Sequence, residues 1–244
     1  MEREPIYVAG YPKSGTTWLT RLLADCLDCA AGGCMPKEDG KEMASEGWNR
    51  PEPYVVRKGH FVLTDEGDSL VPRPHRMVAE HHAGEPVVFI LRDPRDVAVS
   101  GSYHWGAPTI EFLHAMVKGV GPVRAIGPWI DYNRAWLKSP LVRATVKYEW
   151  MKKDAVREML RLVGLIGGHA DRKQIKEAVH RQSFTVRRAW IRAYGDRLNL
   201  GRAHNMMMMR KGKVGDWKVH FDRECIKYAN EHLRGPMEEM GYVW

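Results

Sequence analysis

The stretch Ile6-Tyr7-Val8-Ala9-Gly10-Tyr11-Pro12-Lys13-Ser14-Gly15-Thr16-Thr17-Trp18-Leu19 decides the fold. Its first four residues form a short apolar run of the kind that makes a buried strand. The residues from Leu19 to Ala24 place apolar side chains at helical spacing. Between them lies a Gly-containing loop. Strand, loop and helix in this order gather backbone N–H groups and a helix N-terminus around an anion. Gly10, Gly15 and Thr17 match the triphosphate-binding pattern G-x-x-x-x-G-K-[ST], but position 16 is Thr where that pattern needs Lys, and Lys13 lies inside the loop instead. The loop is therefore expected to hold a phosphate-like group by a different arrangement from an ATPase.

Outward from this loop the chain alternates strands and helices. Tyr54 to Arg57 reads as a strand leading into Lys58-Gly59-His60. Val87 to Leu91 is an uninterrupted apolar run, as in an interior parallel strand. It ends at Arg92-Asp93-Pro94-Arg95, where Asp93 suits an N-cap and Pro94 a first helical turn. Further helices are predicted at Trp129–Lys138, 154–163, 173–181 and 222–234, with a strand over Val142–Tyr148 and a weak helical pattern over 76–82. The segment 30–53 is rich in Gly, Pro and charge, 105–128 alternates helical fragments with Gly and Pro, and 187–209 carries no clear period; all three are expected to be loops that shape the acceptor pocket. Strand and helix alternation points to one three-layer α/β/α domain spanning 1–244, with a central, mainly parallel sheet. Ligands in such sheets bind at the carboxyl ends of the strands, which brings Lys13, Lys58 to His60 and Arg92 to one edge.

Composition sets outer bounds. The chain has 244 residues and a net charge of +8, which suggests an anionic partner. No apolar run approaches the roughly 20 residues of a membrane span, and no secretory signal pattern precedes the first strand, so a cytoplasmic location is expected. Cys26 and Cys29, with Cys34 nearby, lack a fourth ligand at zinc spacing and read as structural thiols.

Taken together, Tyr11 to Trp18, Arg92 to Ser100, and Arg210-Lys211-Gly212 followed by Gly215-Asp216-Trp217-Lys218 resemble the three nucleotide-binding segments of the cytosolic sulfotransferases, in that family's order. The resemblance implies a P-loop-kinase-like fold and transfer of a sulfuryl group from 3′-phosphoadenosine 5′-phosphosulfate (PAPS) to a small-molecule hydroxyl or amine, with adenosine 3′,5′-bisphosphate as product and no metal. It assigns the 5′-phosphosulfate to Lys13, Ser14, Gly15, Thr16 and Thr17, and the 3′-phosphate to Arg92, Ser100, Arg210, Lys211 and Gly212. It assigns the adenine to Trp18 and Phe184, with Tyr148 at the base edge. His60 is implied as the base, with Lys13, Lys58 and Ser100 completing the catalytic set. Gly59 departs from the Thr more often found between the lysine and the histidine.

A short dimer motif common in the family, Lys-x-x-x-Thr-Val-x-x-x-Glu, is not matched at Lys218 to Arg223, so the oligomeric state stays open. Neither a nucleic acid nor a membrane span is expected. Two alternatives stand beside this expectation: a P-loop small-molecule kinase, disfavoured by Thr16, and a nucleic-acid binder using the basic, aromatic stretch 187–202. The acidic residues Glu38, Asp39, Glu42 and Glu46 could meet a cationic acceptor, or form a solvated loop.

Overall fold

The computed structural model describes residues 3–33, 45–64, 76–78, 80–199 and 209–244. Strand β1 (Glu4–Ala9) runs through the loop at Gly10 to Gly15 into helix α1 (Thr16–Cys26). Two short strands follow, β2 (Ala30–Gly32) and β3 (Ser45–Glu46), then β4 (Tyr54–Gly59). Strands β5 (Val62–Thr64) and β6 (Arg76–Val78) pair in parallel as a separate small sheet. Strand β7 (Val87–Leu91) leads into α2 (Pro94–Trp105), α3 (Thr109–Lys118) and α4 (Trp129–Lys138). After β8 (Val142–Lys147) the described chain is helical: α5 (Tyr148–Lys153), α6 (Ala155–Leu165), α7 (Arg172–Arg181), α8 (Phe184–Tyr194), α9 (Arg223–His232) and α10 (Arg234–Glu239).

Among the described residues the main sheet has the order β3-β2-β4-β1-β7-β8, with β3 antiparallel to β2 and the other neighbours parallel. Successive side chains of a strand face opposite sides, and the core divides accordingly. Tyr7, Ala9, Phe89 and Leu91 pack with α2, α3, α4 and α9 on one face, while Ile6, Val8, Val88 and Ile90 pack with α1, α6 and α7 on the other. This is the expected three-layer α/β/α arrangement around a mainly parallel sheet.

Register aligns the functional edge. Ala9 lies opposite Gly59 and Phe89, and Leu91 opposite Lys147. The residues just after these four adjacent strands are therefore Gly10, His60, Arg92 and Tyr148. No helix among the described residues is long and apolar enough to cross a membrane.

Several local expectations are corrected. Residues 76–78 are strand rather than helix, because Met77 is fully buried and pairs opposite Leu63; only Glu80–His82 forms a helical (3₁₀) turn. The segment 105–128 holds a regular helix, α3, with Phe112, Leu113 and Met116 buried, its Pro108 and Gly119 being end signals rather than breaks. The segment 30–53 contributes β2 and β3 to the sheet. Residues 187–194 belong to α8, and Tyr148 opens α5 instead of ending the strand.

Candidate active site

The loop after β1 is bent around two left-handed residues, Lys13 (φ 70°) and Gly15 (φ 98°). A non-glycine residue held there is strained, and such strain concentrates at functional sites. At Gly15 no other residue fits, since a Cβ would lie 2.7 Å from the Tyr148 ring. Gly15 occupies the N-cap position of α1 without a side-chain cap, so the first amides of the helix lack the usual side-chain acceptor. Ser14 Oγ is buried and has no hydrogen-bond partner among the described residues. A buried hydroxyl in this state costs stability unless something else bonds to it. An anionic oxygen at the helix N-terminus would complete both groups.

Strand β4 supplies the next two side chains. Lys58 Nζ donates to Thr17 Oγ1 at 3.2 Å, tying the second strand end to the phosphate loop. His60 Nδ1 lies 2.8 Å from the Gly10 carbonyl oxygen. A carbonyl only accepts, so in the neutral ring Nδ1 carries the proton and the lone pair sits on Nε2. Between them, Gly59 is required by close packing: a Cβ there would fall 2.2–2.5 Å from the Phe61 ring. Trp136 Nε1 donates to the Phe61 carbonyl at 2.8 Å and fixes this turn from below.

Arg92, after β7, joins the phosphate loop to the C-terminal loop. It donates to the Lys13 carbonyl at 2.9 Å and to the Lys213 carbonyl at 3.3 Å, and its guanidinium lies 4.3 Å from the Tyr148 ring centroid. Its Nε is buried without a partner among the described residues. Asp93 does not pair with Arg92; it caps α2 and binds Arg95 through two oxygens. Ser100 is half-buried on the second turn of the same helix.

The loop bearing Arg210 and Lys211 is held by two carboxylates. Asp216 accepts from Arg210 at 2.5 Å and from Lys211 at 3.2 Å. Burial raises the Asp216 pKa, but these two cations outweigh it and leave the carboxyl below its ordinary value. Asp96, from α2, accepts the N–H groups of Gly215 and Trp217. Arg95 stacks between Trp217 and Trp244, 4.1 and 4.6 Å from the ring centroids. The Arg92 bond to the Lys213 carbonyl ties this loop to the Arg92 side of the sheet edge, with Arg210 and Lys211 both paired to Asp216.

The aromatic trio comes together. Trp18 meets Tyr148 edge-on at 5.6 Å, and a Cβ on Gly212 would touch both the Phe184 ring (3.0 Å) and the Tyr148 hydroxyl (3.6 Å). Trp18 Nε1 donates to the Gln182 carbonyl at 3.1 Å. Lys152 Nζ lies 5.7 Å from the Trp18 ring, with its pKa drawn down by burial and then by the Arg92 charge. Asp96 lies within the matched segment Arg92 to Ser100, but its bonds to Gly215 and Trp217 join segments far apart in the chain and carried no sequence signal.

Two further readings meet the structure here, the first of them as a correction. Glu46 is neither solvated nor available to a cationic acceptor, because Arg21 and Arg187 both bind it; Glu38, Asp39 and Glu42 lie outside the described residues. Cys26 and Cys29 are buried, and burial pushes both thiols up to about 12; Cys34 lies outside the described residues.

Comparison with known proteins gives a consistent result. Residues 85–241 match the sulfotransferase domain family. Rat sulfotransferase 2A6 is 27% identical over 247 residues, covering 91% of this chain and 80% of that protein. Mouse sulfotransferase 1E1 is 25% identical over 270 residues, covering 97% and 84%. Among solved structures, mouse sulfotransferase SULT7A1 complexed with PAP superposes with a TM-score of 0.72 at 20% identity, over 99% of this chain and 86% of that one. Retinol dehydratase in complex with androsterone and inactive cofactor PAP superposes with a TM-score of 0.67 at 18% identity, over 100% and 83%.

Proposed function

The chain belongs to the sulfotransferase family, and from that premise we propose that it moves the sulfuryl group of PAPS to a hydroxyl or amine of a small-molecule acceptor, releasing adenosine 3′,5′-bisphosphate. The observation that carries this is that two of the buried polar atoms without a hydrogen-bond partner among the described residues, Ser14 Oγ and Arg92 Nε, lie on loops that Arg92 itself joins. Unsatisfied groups of this kind fit a bisphosphorylated ligand that bonds to both loops. The two similar solved structures named above are complexes with PAP.

The donor supplies the sulfuryl group and, in its 5′-phosphate, the leaving group. Lys13, Ser14, Gly15, Thr16 and Thr17 hold the 5′ end, with Lys13 and the loop amides meeting the charge that builds on the departing oxygen. Preorganised donors of this kind are worth about 2.7–4 kcal/mol each in rate. Arg92, Ser100, Arg210, Lys211 and Gly212 hold the 3′-phosphate, Arg92 being suited to bidentate contact. Trp18 and Phe184 flank the adenine and Tyr148 meets its edge. His60 Nε2 takes the acceptor's proton as the new S–O or S–N bond forms and the S–O bond to the 5′-phosphate breaks. Lys58, already on Thr17, neutralises the group in transfer.

This assignment treats residues 1–244 as one sulfotransferase domain working in the cytoplasm. The kinase and nucleic-acid alternatives find no support in the family match. Calorimetric titration separates the first of them: adenosine 3′,5′-bisphosphate binds more tightly than ATP with Mg²⁺ if the donor is PAPS, and the reverse order overturns the assignment.

A further inference from the structure

Behind the aromatic trio lies a group of charges that the reaction does not use. Arg21, one turn beyond Trp18 on α1, donates to Glu46 through two nitrogens at 2.8 and 3.2 Å and to Asp196. Arg187, one turn beyond Phe184 on α8, donates to both oxygens of the same Glu46 at 2.6 and 2.7 Å. The four side chains are 0–15% exposed. Two guanidinium groups balance two carboxylates, so the cluster is neutral as a whole and every member needs the others.

A second tether runs beside it. Gln182 accepts the Trp18 N–H through its carbonyl and donates its amide to Asp25 Oδ2 at 2.7 Å. Asp25 lies one turn beyond Arg21 on α1 and also binds Arg50 and Arg181. Residues three or four apart share a helix face. Trp18, Arg21 and Asp25 therefore form one row on α1, and Phe184, Arg187 and Arg188 one row on α8.

Buried ion pairs are weak evidence for stability, since apolar residues of the same volume often serve as well. What this cluster does provide is a bridge between helices, because the guanidiniums of Arg21 on α1 and Arg187 on α8 converge on the one carboxylate of Glu46. That bridge fixes α8 against α1, and with it the spacing between Phe184 and Trp18.

Building on the donor assignment above, we propose that Arg21, Glu46, Arg187 and Asp196 are positioning residues: a clamp that sets the width of the base slot between Trp18 and Phe184 and so tunes affinity for the donor nucleotide. Their bonds converge on Glu46 and Asp196, whereas His60 bonds to Gly10 beyond the end of β4. Their loss therefore acts on donor binding and leaves the chemical step at saturation largely intact.

The test uses the full-length chain with adenosine 3′,5′-bisphosphate as calorimetric probe, alongside the kinetics of transfer from PAPS. Glu46→Gln keeps the shape and removes the charge; Arg187→Lys keeps the charge and removes the bidentate fork. In Glu46→Gln the nucleotide Kd and the donor KM are expected to rise about tenfold, with kcat changed less than about twofold and Arg187→Lys intermediate. Combining either change with Phe184→Leu is expected to give less than the product of the separate effects, because the clamp acts through that ring. Should Glu46→Gln not fold, Arg187→Lys alone and its pairing with Phe184→Leu carry the same readouts. Lower melting temperatures with unchanged Kd and KM, or effects that multiply independently of Phe184, overturn the clamp and leave the donor assignment standing. Failure of the parent chain to bind the nucleotide overturns both.

Discussion

Asp96 Oδ2 accepts the Gly215 N–H at 2.7 Å, and its other oxygen accepts the Trp217 N–H at 3.0 Å. One carboxylate from the start of α2 thus builds the turn that presents Arg210 and Lys211. Asp96 is only 1% exposed, so both of its acceptor oxygens are withheld from water and committed to this turn. Asn at this position offers one acceptor oxygen for two donors and turns an amide N–H₂ toward the other. Leaving a buried donor unsatisfied costs about 1–3 kcal/mol. Asp96→Asn is expected to weaken binding of adenosine 3′,5′-bisphosphate by tenfold or more in a calorimetric titration, and an unchanged Kd would show that the turn holds its shape without the carboxylate.

Gly59 tests how the catalytic turn is packed. The family it resembles more often has Thr between the lysine and the histidine, yet here the Phe61 ring occupies the space a Cβ would take, at 2.2–2.5 Å. Gly59→Thr therefore overpacks the turn rather than improving it, at a cost of about 1–3 kcal/mol. Thermal melts are expected to show that loss, with a drop in transfer rate as His60 is displaced. Adding Phe61→Ala to Gly59→Thr should cost less than the two changes measured apart. Strict additivity would show that the ring and the missing Cβ do not compete.

Asp216 ties acid stability to the C-terminal loop that carries Arg210 and Lys211. Burial raises its pKa, but Arg210 and Lys211 more than offset that, so the folded value lies below the unfolded one. The resulting stabilisation is fully present above the unfolded carboxylate value, near 4, and is lost as pH falls through the lowered folded value. Melting temperatures between about pH 6 and about pH 3 are expected to fall less steeply in Asp216→Asn than in the parent. Parallel curves would mean that the two cations hold no preference for the charged form.

Much of the fold was legible because its strands announce themselves. Val87 to Leu91 has no polar interruption, and Asp93 with Pro94 marks the next helix at its first residue. The candidate site was legible for a related reason: Lys13, His60 and Arg92 each follow a strand, Lys58 sits near the end of one, and parallel register carries their positions to one edge. What stayed hidden depends on contacts between distant segments. Residues 76–78 become a strand only because Val62–Thr64 lies beside them and Met77 finds the core. Helix α8 places charged and aromatic residues on one face, where Arg187 turns inward to Glu46 and Arg21, so its apolar period is broken by buried charge. For the same reason Glu46 looks like one acid in an acidic loop until the two arginines are in view.

The most direct test of the central claim is transfer of labelled sulfuryl from PAPS across a panel of phenol, alcohol and amine acceptors, run with the parent chain, His60→Ala and Lys13→Ala. The parent is expected to label at least one acceptor. On that acceptor, Lys13→Ala should lose about a hundredfold in kcat or more, as for removal of one preorganised donor to a developing charge. Loss of a general base should cost His60→Ala a similar factor, about 10²–10⁴. Labelling by the parent with either variant retaining most of its rate would contradict the roles given to these two residues, and absence of labelling on every acceptor class would contradict sulfuryl transfer itself.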